Sequence, residues 1–260
     1  MKSSLLILGL YLAAALLTGF GWFTPTIDLA DMQADTAPNI GAWFGTDHLG
    51  RDVFAQTVQG TKVALSVGTL AAGLAVLLGA LFGILAGWYG GRLDALILWL
   101  SGSVAAIPGI LLILVLSWML GGGYVGVFLA VGLVSWVGIY RLVRVEVQRL
   151  QGEPFVQSSR SFGARFSGIA WRHLLPNLAP LLATQFLLYF LFAVKAEVIL
   201  SFLGIGMQGY TSWGTMIADA WTFDDLGQQR WWRLTAATGA MALLILALQR
   251  VAIRLSRRPT

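Results

Sequence analysis

Lys195 and Glu197 are two ionisable side chains inside an otherwise uncharged apolar run. A charge is costly to bury in lipid, so such residues normally face a cavity or a partner and often handle protons, ions or substrate. Two residues apart on a helix, they point in different directions and do not simply neutralise each other. Proton or ion coupling is one hypothesis for this pair. Snorkelling of both side chains to the membrane interface is the other.

Few other residues offer reactive chemistry. The absence of cysteine excludes disulfides, thiolate metal sites and cysteine nucleophiles. His48 and His173 fall in loops predicted on opposite sides of a membrane, so we expect no metal site. The P-loop pattern G-x-x-x-x-G-K-[ST] is missing because the dipeptide Gly-Lys does not occur, so the chain does not bind ATP in that way. An intramembrane hydrolase would have only Lys195 and Glu197 as a catalytic pair, and we predict no catalytic residue and no enzyme activity.

The composition indicates which elements must position these residues. Of the 260 residues, 57% are hydrophobic and 11% are charged, against roughly a quarter charged in soluble domains. About 20 apolar helical residues cross a bilayer. We predict one all-α polytopic membrane domain over residues 1–260, with six spans at about 5–23, 63–89, 95–120, 124–140, 178–203 and 234–251.

The first span has an alternative interpretation as a cleaved signal peptide. Lys2 precedes it, and residues 13–15 are small alanines. The apolar stretch continues through Phe20, Trp22 and Phe23, which favours a membrane anchor with an interfacial aromatic belt.

The distribution of basic residues predicts the orientation. Placing both termini in the cytoplasm puts twelve basic residues inside: Lys2, Arg92, Arg141, Arg144, Arg149, Arg160, Arg165, Arg172, Arg250, Arg254, Arg257 and Arg258. Arg51, Lys62, Arg230 and Arg233 then lie outside with eight of the twelve acidic residues. This positive-inside bias explains the net charge of +5 without nucleic acid as a partner.

Two kinds of polar segment follow from this topology. External segments lie at 24–62 and 204–233, and a cytoplasmic loop lies at 141–177. The spacing of Phe155, Phe162, Phe166 and Ile169 predicts one or two short helices in the cytoplasmic loop.

Glycine and proline positions predict packing and bending within the spans. Gly79, Gly83 and Gly87 share one helix face, which lets a neighbouring helix approach closely. A static packing seam is the simpler hypothesis, and a moving contact in a transport cycle is the alternative. Pro108, followed by Gly109, predicts a kink. A kinked span can line a pathway, although membrane helices also tolerate proline without such a role.

One segment of the cytoplasmic loop carries a family resemblance. The sequence Q-S-S-R-S-F-G at 157–163 is followed after nine residues by H-L-L-P-N at 173–177. It resembles the EAA loop of ABC importer permeases, with the pattern E-A-A, three residues, G, nine residues, I, one residue, L-P. The glycine, the spacing and the L-P are kept, whereas Gln157, Ser158, Ser159 and His173 replace Glu, Ala, Ala and Ile. The histidine is similar to the oligopeptide, dipeptide and nickel branch.

Three further stretches resemble the "C" permease subunits of that branch. G-T-D-H-L-G-R-D-V at 45–53 is similar to G-T-D-x-x-G-R-D-V. A-G-W-Y-G-G at 86–91, followed by Asp94, is similar to A-G-Y-x-G-G-x-x-D. L-S-F-L-G-I-G at 200–206, then S-W-G at 212–214 and Met216, resembles L-S-F-L-G-x-G…S-W-G-x-M. The resemblance covers residues 45 to about 220.

The resemblance implies the type I ABC importer (MetI-like) permease fold in the bacterial cytoplasmic (inner) membrane. The expected partners are a second homologous permease, two P-loop ATPase subunits that bind ATP and Mg, an extracytoplasmic solute-binding protein and membrane lipid. The chain itself is expected to bind no cofactor, and the solute would be a peptide, a nickel chelate or another small molecule. An ion-coupled secondary transporter using Lys195 and Glu197 is the alternative.

The resemblance also assigns site residues. In the family the EAA loop forms a coupling helix that docks on the ATPase; the corresponding residues are Glu153, Gln157, Ser158, Ser159, Phe162, Gly163, Leu175 and Pro176. Glu153 and Pro154 favour a helix start, and Gly163 favours its end. An amphipathic helix lying on anionic lipid through its arginines is the alternative.

Tyr210, Trp213 and Met216 in the external segment are the predicted contacts with the binding protein. An interfacial aromatic belt would explain the aromatic residues of this segment equally well.

Overall fold

The computed structural model describes residues 2–21, 33–206 and 209–256. Within these ranges the secondary structure is helical, apart from one isolated β-bridge between Thr46 and Asp52. The helices are α1 (Lys2–Gly19), α2 (Val53–Tyr89), α3 (Gly91–Ala105), α4 (Gly109–Met119), α5 (Gly123–Gln151), α6 (Pro154–Ser161), α7 (Phe166–Ile169), α8 (Leu175–Phe202), α9 (Trp213–Thr222) and α10 (Trp232–Ser256). A π-helical turn, Ala170–Leu174, joins α7 to α8. Trp22, Phe23, Arg257 and Arg258 lie outside the described residues.

Several of these helices are long and apolar enough to cross a membrane. Four qualify by length and composition: α2, α5, the continuous helix Phe166–Phe202 that contains α8, and most of α10. The pair α3 and α4 qualifies only if it is counted as one span, and α1 is shorter. The chain is therefore a multi-pass membrane protein. Its six crossings stay a prediction, since they require α1 and the bent pair to count as one span each.

Two helices extend well beyond the predicted spans. α2 begins at Val53 rather than at residue 63, and α5 continues to Gln151 rather than ending near residue 140. Asp52 starts α2 by accepting a hydrogen bond from the backbone N–H of Phe54 at 2.9 Å. Hydropathy misses these extensions because their residues are polar. A helix needs only satisfied backbone groups and one packed face, so polarity does not end it.

The third predicted span is broken rather than kinked. α3 and α4 meet at an angle of 91°. Pro108 precedes α4 as its cap residue, where a missing N–H costs no helical hydrogen bond. The backbone N–H groups of Leu111 and Leu112 both donate to the Pro108 carbonyl, at 3.0 and 3.1 Å. The predicted bend at Pro108 is therefore present as a break between two helices, because proline starts a new helix here. A pathway role for Pro108 stays a prediction.

The predicted glycine seam joins α2 to α5. A Cβ atom placed on Gly79 would lie 2.6 Å from Ile139 Cβ, and one on Gly83 would lie 2.6 Å from Val143 Cβ. At Gly87 it would lie 2.8 Å from the carbonyl oxygen of Arg144. All three glycines thus allow a helix approach that alanine would block. The packing seam is confirmed, and a moving contact at the seam stays a prediction.

Candidate functional site

Residues 152–174 form the predicted helical loop beside the ends of α2 and α5. α6 begins at Pro154 with Glu153 as its cap residue, and it ends before Gly163, which has a φ of +77°. Glycine adopts this left-handed conformation without strain. A side chain at Gly163 would meet nothing within 4 Å, so the loop is open at this point. The predicted helix start, helix end and short helices are all confirmed.

α6 has one face toward the protein and one away from it. Val156 is the side chain that α6 buries, in a cluster with Leu150, Ile169 and Leu174. On the outer side Gln157 and Ser158 are exposed. Phe162 is 89% exposed, although it is a large apolar residue. The loop therefore presents a short polar helix with an unpartnered aromatic ring at its end.

Glu153 and Gln157 make contacts within the chain itself. Glu153 pairs with Arg149 at 2.9 Å, and Arg149 also pairs with Glu146 at 2.7 Å. Arg149 is well exposed, so each of these pairs contributes little to stability. Gln157 donates from Nε2 to the carbonyl of Gly152 at 3.1 Å. These contacts hold the start of α6 against the end of α5.

Ser159 and His173 meet on the inner side of the loop. Ser159 Oγ lies 3.0 Å from His173 Nε2. The imidazole ring also lies 5.7 Å from the Phe155 ring, measured between centroids. Leu175 and Pro176 begin α8 instead of belonging to the exposed loop. Among the eight predicted coupling residues, the exposed ones are Gln157, Ser158, Phe162, Gly163 and Pro176.

Lys195 and Glu197 point in different directions, as predicted. Lys195 is exposed, whereas Glu197 is 1% exposed. The Glu197 carboxylate accepts a hydrogen bond from Ser201 Oγ at 2.7 Å and is hydrogen-bonded to the Ser212 side chain. Snorkelling is therefore wrong for Glu197, because two hydroxyl groups satisfy the carboxylate inside the protein.

Trp213 and Met216 lie inside the protein, with exposed fractions of 0% and 1%. Trp213 Nε1 donates to the carbonyl of Thr57 at 3.0 Å, and its ring occupies the space left by the missing side chain of Gly60. The binding-protein contact is thus wrong for both residues, and the aromatic belt is wrong for Trp213. α9 is amphipathic, and it turns Trp213 and Met216 toward α2 and α8. Tyr210 is 62% exposed and remains available for a contact.

The G-T-D motif builds a turn before α2. Asp47, 1% exposed, accepts hydrogen bonds at Oδ1 from the N–H groups of Leu49 and Arg51, and at Oδ2 from Arg51 Nε and Gln56 Nε2. Burial raises the pKa of Asp47, but the hydrogen bonds and the charge of Arg51 outweigh it and hold the pKa below its ordinary value. The motif therefore has a structural role that its spacing alone does not reveal.

A second cluster of charges is formed by residues far apart in sequence. Asp225 lies 3.4 Å from both Arg230 and Arg233 and is 1% exposed, and Arg230 also pairs with Asp35. Burial raises the pKa of Asp225, and the two arginines reduce that rise. Arg233 Nη2 donates to His48 Nδ1 at 3.3 Å. In the sequence, only the excess of acidic residues in the predicted external segments pointed to such a cluster. That excess does not show which acidic residue pairs with which arginine.

Metal binding has no support in the part of the chain that the structure describes. No group of three His, Asp or Glu residues there could hold a metal ion. His48 stacks on Phe223 with ring centroids 3.8 Å apart, and His173 lies within hydrogen-bonding distance of Ser159. Each histidine therefore has a packing or hydrogen-bonding role.

Residues 79–260, which include α6, match the family model described as "Binding-protein-dependent transport system inner membrane component". The chain belongs to this family. Family membership confirms the predicted resemblance and the all-helical permease fold.

Permeases of known transport systems are similar to this family member. It is 36% identical to the dipeptide transport system permease protein DppC of Bacillus subtilis, over 78% of this chain and 63% of the relative. It is 33% identical to the oligopeptide transport system permease protein OppC of Bacillus subtilis, over 72% of this chain and 62% of the relative. It is 33% identical to the glutathione transport system permease protein GsiD of Pectobacterium atrosepticum, over 72% of this chain and 63% of the relative. The match thus spans less than two thirds of each of these relatives.

Proposed function

We propose that this chain is the membrane-spanning permease subunit of an ATP-driven ABC importer. The observation that carries the proposal is the exposed outer face of α6, within a chain that belongs to a family of binding-protein-dependent transport components. Phe162 is 89% exposed beside the exposed polar side chains of Gln157 and Ser158, and this uncovered face is the surface that meets the partner.

That partner is a pair of P-loop ATPase subunits, which bind ATP and Mg and supply the energy. The chain lacks a P-loop of its own, so hydrolysis must occur elsewhere in the complex. Phe162 enters a groove on the ATPase, and Gln157 and Ser158 supply polar contacts around it. The positive-inside bias puts α6 and both termini in the cytoplasm, which is the compartment that holds ATP.

A second, homologous permease completes the translocation path. α3 and α4 leave large apolar side chains uncovered, with Trp99 69% and Trp118 72% exposed. The 91° bend between these helices spreads that apolar surface in two directions. The second permease covers part of it, and lipid covers the remainder.

The transported solute is a peptide delivered by an extracytoplasmic binding protein. This substrate class is supported by the names of the similar permeases, which specify dipeptides, oligopeptides and glutathione. Nickel has no comparable support. The ion-coupled alternative also has less support, because Ser201 and Ser212 already satisfy Glu197 and Lys195 lies apart from it.

The proposal is tested by purifying the tagged chain from its native membrane in mild detergent. We expect a second permease and P-loop ATPases to co-purify, with ATP hydrolysis and peptide uptake after reconstitution. Gly163→Asp should abolish uptake and release the ATPase, because it adds charge and bulk to the docking surface. Asparagine also tolerates the left-handed backbone, so Gly163→Asn adds bulk without charge and shows which of the two causes the loss. Gly168→Asp is the control, since its position is exposed and has open space around it. Full uptake by both Gly163 variants would show that α6 is not the docking element.

A further inference from the structure

We propose that the hydrogen bond between Ser159 and His173 transmits movement of α6 to the long helix α8. The inference rests on the proposed function, and it assigns both residues a positioning role inside the chain rather than contact with the ATPase. The two positions carry Ala and Ile in the family pattern, so a polar pair replaces an apolar one here. The structure places the two replacements 3.0 Å apart.

The bond spans the point where the loop is otherwise weakly held. Val156 is the single side chain that α6 buries, and glycines at 152 and 163 flank the helix. Gly163 has a left-handed backbone, and the backbone around both glycines can rotate with little steric cost. Ser159 lies three residues beyond Val156, on the same helix face. Beside the contacts of Glu153 and Gln157 at the start of α6, its bond to His173 therefore adds a fixed point toward α8, which opposes rotation of α6 about Val156.

The hydrogen-bond donor can be assigned from the geometry. Ser159 Oγ lies 2.9 Å from the Phe155 carbonyl, which can only accept, so the serine proton is used there. The oxygen of Ser159 must then accept from His173, and His173 Nε2 carries the proton. Gln at position 173 also offers an N–H donor at the end of its side chain, whereas Ile offers none.

His173 lies in the π-helical turn that leads into α8. Such wide turns are rare and frequently occur at functional sites. Asn177 Nδ2 donates to the His173 carbonyl at 2.6 Å, and Phe155 packs beside the ring. The helix then continues without a break to Phe202, past Glu197. A displacement of α6 is thus carried through His173 into a rigid element that crosses the membrane.

The test measures uptake and ATP hydrolysis together in the reconstituted full complex. Ser159→Ala and His173→Ile should each lower the number of peptides transported per ATP by about twofold to tenfold, the range expected for the loss of one neutral hydrogen bond. The ATPase should remain bound. His173→Gln should retain most of the coupling, because it keeps a donor. Ser161→Ala is the matched control, since its hydroxyl donates at 3.1 Å to Gln157 on its own helix.

The double variant S159A/H173I restores the family's apolar pair. We expect it to transport at least as many peptides per ATP as the single variant with the lower ratio, because the two positions act as one unit. Losses that multiply instead would overturn the proposal, as would unchanged coupling in Ser159→Ala.

Hydrogen exchange of the backbone amides at 155–161 supplies a readout that does not depend on transport. It should be faster in Ser159→Ala and unchanged in Ser161→Ala. If the wild-type complex shows no ATPase partner, the proposed function fails. If the wild type couples normally and Ser159→Ala matches it in both assays, only the positioning role fails.

Discussion

Asp94 and Arg144 form a two-point ion pair that ties the start of α3 to α5. Arg144 Nε lies 2.5 Å from Asp94 Oδ1, and Arg144 Nη2 lies 2.5 Å from Asp94 Oδ2. Both side chains are largely shielded from solvent. The parallel arrangement uses the planar guanidinium group, which matches a carboxylate in geometry as well as in charge. The pair therefore determines where α3 leaves α2 after the turn at Gly90 and Gly91.

Replacing Arg144 should show that geometry matters here as well as charge. Arg144→Lys keeps the charge but cannot make two parallel bonds, so we expect a loss of about 1–3 kcal/mol in stability. Thermal unfolding of the detergent-purified chain measures the effect. Arg141→Lys is the control, because Arg141 is exposed on the same helix. Equal melting temperatures for Arg144→Lys and the wild type would contradict this role.

The glycine seam predicts a steep dependence on side-chain size. Gly83→Ala should destabilise the chain by about 1–3 kcal/mol, because its Cβ would lie 2.6 Å from Val143 Cβ. Adding Val143→Ala should recover part of the loss. Gly73→Ala on the same helix meets nothing within 4 Å and should be neutral or slightly stabilising. If the two alanine variants unfold at the same temperature, the seam does not restrict side-chain size.

Trp213 and Trp221 on α9 predict opposite outcomes of the same substitution. Trp213→Ala leaves a cavity and removes the hydrogen bond from the indole N–H to the Thr57 carbonyl, so we expect a loss of about 3–5 kcal/mol. Trp221 is 76% exposed, and Trp221→Ala should change stability by about 0.5 kcal/mol or less. Thermal unfolding with intrinsic fluorescence compares the two. A similar loss of stability in both variants would contradict the prediction, because it would mean that the Trp221 side chain is packed.

Asp47 predicts a pH dependence of the stability of the turn before α2. Because its folded pKa is lowered from 3.8, the stabilisation is complete above that value and is lost as the pH falls through the lower folded pKa. Asp47→Asn should lower stability near neutral pH and flatten the acid side of the profile. The melting temperature measured from about pH 7 to about pH 3 checks this. Asp219→Asn is the control, since Asp219 is 41% exposed and lies 4.0 Å from Arg51. An acid profile for Asp47→Asn that matches the wild type would contradict the prediction.

Local rules of sequence predict much of the fold and of the helical loop at 152–174. Apolar runs locate the membrane helices, because a chain in lipid must satisfy its backbone within each segment. Glu153, Pro154 and Gly163 predict the bounds of α6, because capping and left-handed backbone depend on the residue at that position. The spacing of Gly79, Gly83 and Gly87 likewise predicts one smooth helix face.

What only the tertiary structure decides is which surface each side chain meets. Trp213 is the type of residue expected at a membrane interface, yet it packs over Gly60, more than 150 positions away in sequence. Pro108 signals a bend, but only the structure gives its angle of 91°. Ser159 and His173 look like unrelated departures from a family pattern until the loop folds back and brings them within hydrogen-bonding distance. Periodicity and capping act within one helix, whereas these contacts depend on how separate helices are arranged in space.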